Sequence, residues 1–154
     1  MSDTLDALER RLRLLEDREA IGDLIARYGP LADRGEAAAL ARLWTADGIY
    51  EVVGFARAEG HAAIAALIDG AHHRALMADG CAHLLGPVAV TLDGDEATAV
   101  CHSVVFRSVS GHFVAERVSA NRWRLVRTGA GWRVQHRANA LLDGEEAARA
   151  ILSI

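Results

Sequence analysis

The sequence predicts an α+β fold: a strongly curved antiparallel sheet with N-terminal helices packed on its concave face, forming a cone-shaped cavity. Three observations predict it. Apolar residues recur at helical spacing through the first third of the chain. The period then changes to long β-rich runs. Short turn signals separate those runs, so they read as a meander. Long hairpins twist and curl, and helices placed before them cover one face.

Leu5, Leu8, Leu12, Leu15, Ile21, Leu24, Ile25 and Tyr28 fall at helical spacing with charges between them. They predict one long amphipathic helix, or two with a break near Asp17, stopped by Pro30 and Gly35. A short helix is expected over 36–44, and Thr45-Ala46-Asp47-Gly48 reads as a turn. Strands follow at 49–53 and 55–58, then an alanine-rich helix over 60–75 with Ile64, Leu67 and Ile68 on one face. Four β runs cover 81–92, 97–108, 113–128 and 131–142, and a short helix over 145–151 closes the chain.

At 154 residues the chain is read as one domain, 1–154. It is 51% hydrophobic and 25% charged, which excludes disorder. The net charge of -4, with arginines dispersed among acids, argues against nucleic acid as a partner. No apolar run reaches the ~18 residues of a membrane span, and the start lacks a signal-peptide pattern. A cytoplasmic location is expected. Cys81 and Cys101 lack zinc spacing and read as buried thiols. No histidine spacing suggests a metal site, and neither a phosphate loop nor a Gly-X-Ser-X-Gly elbow occurs.

Tyr28, Asp33, Tyr50, His83, His102, Asn121 and Arg137 are polar groups in apolar surroundings. Asp33 follows a helix, and His83 sits in the apolar strand segment Cys81-Ala82-His83-Leu84-Leu85. Such a carboxylate and imidazole are either a satisfied buried pair or an acid/base dyad, and the carboxylate also has the option of capping a turn. In a dyad, Nδ1–H bonds the carboxylate, Nε2 is left as a base, and the carboxylate raises the imidazole pKa. His61, His72 and His73 are expected to face solvent. Alternation puts Trp132, Val134 and His136 on one face of the last strand and Arg137 on the other. With Trp132 in the core, Arg137 needs a bulge or a place near the mouth.

Five segments resemble the SnoaL-like branch of the nuclear transport factor 2-like, cystatin-like superfamily. They are Leu15-Glu16-Asp17-Arg18-Glu19-Ala20-Ile21 through Asp33-Arg34-Gly35, Leu43-Trp44-Thr45-Ala46-Asp47-Gly48, Gly60-His61-Ala62-Ala63-Ile64, Ala82-His83 and Gly131-Trp132-Arg133-Val134. The resemblance covers nearly the whole chain. Scytalone dehydratase, the bile-acid 7α-dehydratases and hexachlorocyclohexane dehydrochlorinase belong to this branch and carry out eliminations with an Asp–His dyad and no metal. The resemblance implies that Asp33, His83, Tyr28 and Tyr50 are catalytic. It implies that His102, Asn121, Arg137 and Trp44 bind substrate. Ala32 departs from scytalone dehydratase, which has a tyrosine there, and this argues against the same substrate.

The expected function is a cofactor-independent, dehydratase-like lyase acting on a small, largely apolar cyclic substrate. A ketosteroid-isomerase-like proton transfer needs the same parts. A non-catalytic binding or association domain is the alternative from another class. A homodimer or small homo-oligomer is expected, formed through apolar residues on the outer sheet face.

Overall fold

The computed structural model describes residues 2–154; Met1, where the signal-peptide reading begins, lies outside them. Helix α1 (Ser2–Ala26) is followed after one residue by α2 (Tyr28–Asp33), then α3 (Ala37–Ala41) and strand β1 (Trp44–Val52). Next come β2 (Ala56–Glu59), α4 (Gly60–Asp69), α5 (Ala71–Asp79), β3 (Cys81–Leu85) and β4 (Ala89–Asp93). Strands β5 (Glu96–Val109), β6 (His112–Thr128) and β7 (Gly131–Leu141) precede α6 (Glu146–Ala150).

Seven strands form one sheet in the order β2-β1-β7-β6-β5-β3, with β4 pairing β5 beyond the end of β3. The expected all-antiparallel sheet is corrected in one place, because β1 runs parallel to β7. Everything from β2 to β6 lies between these strands in sequence, so no hairpin fixes their relative direction. The run at 81–92 divides into β3 and β4 at Gly86-Pro87-Val88, since Pro87 has no N–H to give the ladder. The helix over 60–75 breaks at Gly70, whose backbone is extended (ψ 154°).

Thr45-Ala46-Asp47-Gly48 is not a turn between elements. It is a bulge inside β1: Trp44 pairs with Val134 and Ile49 with His136, so four residues oppose one. A second bulge lies at Gln135 in β7, where Leu125 pairs with Val134 but Arg124 with His136. Bulges bend a strand and shift its facing pattern by one residue. Here the shift puts Trp132 and Val134, and then Arg137 and Asn139, on the same buried face.

The core lies between that face and the helices, with Ile21, Ile25, Leu40, Trp44, Ile64, Trp123, Leu125 and Val134 almost fully buried. Asp17 ties α1 to the sheet by accepting hydrogen bonds from Arg127 (2.7 and 2.8 Å) and the Trp132 indole (3.0 Å). These bonds, chiefly the one from Arg127, hold the Asp17 carboxyl below its ordinary pKa.

Candidate active site

Helix α2 delivers Asp33. It ends in a Schellman pattern, with Gly35 N–H donating to Ala32 O (3.0 Å) and Glu36 N–H to Leu31 O (2.9 Å). Gly35 takes the left-handed φ of 68° that this ending requires. The opposite end of α2 presses on β3 at Gly29. At the C-terminal end Asp33 turns toward His83 rather than capping a turn.

The Asp33 carboxylate accepts from His83 three times: Nδ1–H to Oδ1 at 2.6 Å, and the backbone N–H at 3.1 Å to Oδ1 and 3.0 Å to Oδ2. Cys81 Sγ adds a fourth, longer donor at 3.7 Å. With Nδ1 occupied, the neutral ring carries its proton there and Nε2 is the basic nitrogen. Nε2 has no partner and is not sealed among the described residues, and His83 lines the cavity.

The expected raised pKa of His83 is corrected. Burial lowers it from 6.5, outweighing the opposing effect of Asp33, while His73 and Arg137 lower it further. The imidazole is therefore neutral and ready to accept a proton over a wider range on the acid side. Burial, then the neighbouring Asp33 charge, pushes the Cys81 thiol up to about 11, so Cys81 is a proton donor to Asp33.

Across the cavity stands a cage around Arg137, which is 2% exposed. Its guanidinium carbon lies 4.1 Å from the Tyr28 ring centroid, 4.3 Å from that of Trp123 and 4.6 Å from that of Tyr50. Nε and Nη2 donate to Asn121 Oδ1 at 3.0 and 2.8 Å. Nη1 is buried without a partner, and no carboxylate pairs with this guanidinium among the described residues. The Asn121 amide donates to Ser103 Oγ at 2.8 Å, and Asn139 Nδ2 donates back to Asn121 Oδ1 at 2.9 Å. Tyr28 Oη is 3.5 Å from Tyr50 Oη. Burial, followed by the Tyr50 neighbour, raises the Tyr28 pKa, so its phenol keeps its proton.

The cavity measures about 330 Å³ and is walled by Tyr28, Tyr50, His73, His83, Leu85 and Arg137, among others. The structure thus brings together Asp33, His83, Tyr28, Tyr50, Asn121 and Arg137. Asn121 stands behind Arg137 rather than on the wall. Trp44 is 1% exposed, donates its indole N–H to Ile49 O (3.1 Å) and backs Tyr50 without lining the cavity. His102 is corrected: Cys101 and Ser103 point inward, and His102 between them is exposed on the other face.

His73 is the residue the sequence reading missed. It is buried rather than solvent-facing, and its Nε2–H donates to Ala32 O at 2.8 Å. Its ring centroid lies 5.2 Å from that of His83. The helix break at Gly70 resets the phase, so His73 and Leu76, three apart, face inward together. His61 is also partnered, with Nε2–H donating to Trp44 O at 3.0 Å; His72 is exposed as expected.

Asp33, Cys81 and His83 place three ligand-type atoms within 4.8 Å of one another. Two donors on one tetrahedral zinc, with bonds of ~2.0–2.1 Å, sit ~3.3 Å apart. Oδ1 and Nδ1 at 2.6 Å are instead at hydrogen-bond separation, and would have to spread to share an ion.

A long helix, a mixed but mostly antiparallel sheet and a cavity between them define an NTF2-like, cystatin-like α+β fold. The chain belongs to the SnoaL-like domain family, whose model matches residues 13–138. It is 69% identical to an NTF2-like protein with a cystatin-like fold from Novosphingobium aromaticivorans, over 97% of each chain, with a TM-score of 0.95. It is 23% identical to Rv3472, a protein of unknown function from Mycobacterium tuberculosis, over 94% of this chain and 87% of that one, with a TM-score of 0.74. A Catenulispora acidiphila protein solved in complex with S-DNPA is 20% identical over 84% of this chain and 94% of that one, with a TM-score of 0.71. No curated protein sequence matches significantly. No described helix is long and apolar enough to cross a membrane.

Proposed function

We propose that this protein is a cofactor-independent, metal-independent lyase of the dehydratase type, acting on a small, largely apolar cyclic substrate. The observation that carries the reading is the 2.6 Å Asp33–His83 hydrogen bond with Nε2 of the same ring left open at the cavity. His83 Nε2 takes a proton from a carbon beside a carbonyl. The C–H electrons form the new C=C bond as the C–O bond to the leaving hydroxyl breaks. The proton returns from His83 to the leaving oxygen, which departs as water, and the protein ends unchanged.

Asp33 holds the tautomer and stabilises the imidazolium formed in transit. Negative charge grows on the substrate carbonyl oxygen in the same step. Arg137, which lines the cavity, and the Tyr28 and Tyr50 hydroxyls are suited to offset it, and preorganised charges and donors of this kind are the larger catalytic term. His73, whose ring centroid lies 5.2 Å from that of His83, disfavours premature protonation of His83. The cavity is small, and its wall sets apolar side chains such as Leu67, Ile68, Leu76 and Leu85 beside polar ones such as Ser103, Ser119, Arg137 and Asn139; its size suits one compact ring better than an extended chain. The protein is further proposed to work in the cytoplasm as a homodimer or small homo-oligomer.

The test is a screen of cyclic β-hydroxy-ketones for loss of water, with His83→Ala alongside. Water loss by wild type and not by the variant supports the reading. Double-bond migration without water loss would make the protein an isomerase. Saturable binding with no conversion of any ring would make it a binding domain.

A further inference from the structure

Helix α1 extends well beyond the part of it that packs on the sheet. Residues 3–16 are exposed apart from half-buried Ala7. Within this stretch Leu5, Leu8, Leu12 and Leu15 are 58%, 53%, 55% and 64% exposed. Their 3-4-3 spacing puts them on one stripe, the a and d positions of two heptads. An unpartnered leucine stripe on a helix is surface that calls for a cover.

The stripe cannot fold back on its own domain. Successive residues turn by about 100°, so Asp17, Ile21, Leu24 and Ile25, which pack inward, lie nearly opposite the leucines. The domain sits behind the helix and the stripe looks away from it. Along residues 3–16 the stripe is open to a second helix.

The flanking charges say which helix fits. With Leu5 and Leu12 at a, the e positions hold Glu9, Glu16 and Asp23, and the g positions hold Arg11 and Arg18. In a parallel pair each g faces the e of the next heptad on its partner. Arg11 then meets the partner's Glu16, and Arg18 meets the partner's Asp23. An antiparallel pair would set glutamates against glutamates and arginines against arginines. The chain is thus complementary to itself in one orientation.

We propose that α1 is a dimerisation arm: the Leu5-Leu8-Leu12-Leu15 stripe pairs in parallel with the same stripe of a second copy of this chain. This rests on the self-association proposed above but moves the interface from the outer sheet face to the helix. Light scattering of the full chain at high micromolar concentration should give twice the 16.5 kDa chain mass. Leu8→Glu with Leu12→Glu should raise the dimer dissociation constant at least about 100-fold, the loss of several buried leucines. These residues are exposed in the single chain, so circular dichroism should show the fold retained.

Orientation is tested separately. Leu8→Cys should form a disulfide-linked dimer under mild oxidation, because equal d positions meet only in a parallel pair. Glu16→Arg should weaken the dimer several-fold, and Arg11→Glu with Glu16→Arg should restore it. A monomeric wild type would overturn both self-association and the arm. A dimer untouched by the leucine changes would keep self-association and overturn the arm. Cross-linking of Leu8→Cys only to Leu12→Cys would overturn the parallel register.

Discussion

Gly29 rests directly on the backbone of His83: a Cβ at position 29 would stand 2.2 Å from the His83 carbonyl oxygen. This contact sets the distance between α2 and β3, and thereby the position of Asp33 four residues on. Gly29→Ala should lower stability by about 1–3 kcal/mol, as forced overpacking does. Chemical denaturation would read that loss. A displacement near 1 Å at the dyad should also cut turnover by about 10²-fold.

The dyad makes a non-additive prediction. His83→Ala should lower kcat by ~10²–10⁴, the usual share of a general base. Asp33→Asn should leave ligand affinity largely intact while lowering kcat, since the amide favours the wrong tautomer. The double variant should be scarcely worse than His83→Ala alone, because both changes act on one step. Tyr28→Phe and Tyr50→Phe should each cost less than His83→Ala, as neither phenol takes the proton.

Burial lowers the His83 pKa below 6.5, and this fixes two signs. Turnover should rise with pH through that lowered value, so the acid limb of the rate profile should fall below 6.5. In the unfolded chain the same ring titrates at its ordinary value. Its stability contribution is therefore complete above 6.5 and is lost as pH falls below it through the folded value. Denaturation midpoints measured across this window should fall less steeply in His83→Gln than in wild type.

Arg137 should separate stability from function. A buried guanidinium without a carboxylate is expensive to bury, even with three aromatic faces around it. Arg137→Met should leave the melting temperature unchanged or higher, because Asn139 still donates to Asn121 Oδ1. Catalysis should drop by ~10²–10³, as for loss of an oxyanion donor. A calorimetric scan beside a kcat measurement would check both halves.

Much of this was legible in the residues. Helical spacing followed by turn-bounded β runs announced the α+β order, and Asp33 and His83 stood out as polar groups in apolar segments. The alternation of β7 even stated the condition under which Arg137 faces inward, and the extra residue at Gln135 meets it. What failed had physical causes. The direction of β1 beside β7 is a long-range pairing with no local signal. The Asp47-Gly48 turn chemistry served a bulge instead of a chain reversal. His102 has apolar neighbours in sequence, yet its side chain falls on the exposed side of β5 between inward Cys101 and Ser103. His73 was hidden because one glycine broke a helix that reads as continuous.

The Gln135 bulge has a further meaning at the level of inheritance. Gln135 is the one residue that β7 has in excess of β6, so loss of its codon would straighten the strand and still leave Arg137 and Asn139 facing inward, opposite the same partners. Closing the bulge with Gln135 retained, by a one-residue slip of the second half of β7, would instead turn both to the outer face. The cation of this cavity is therefore held by pairing register: the strand can shed its extra residue and keep the charge, but cannot slip by one and keep it.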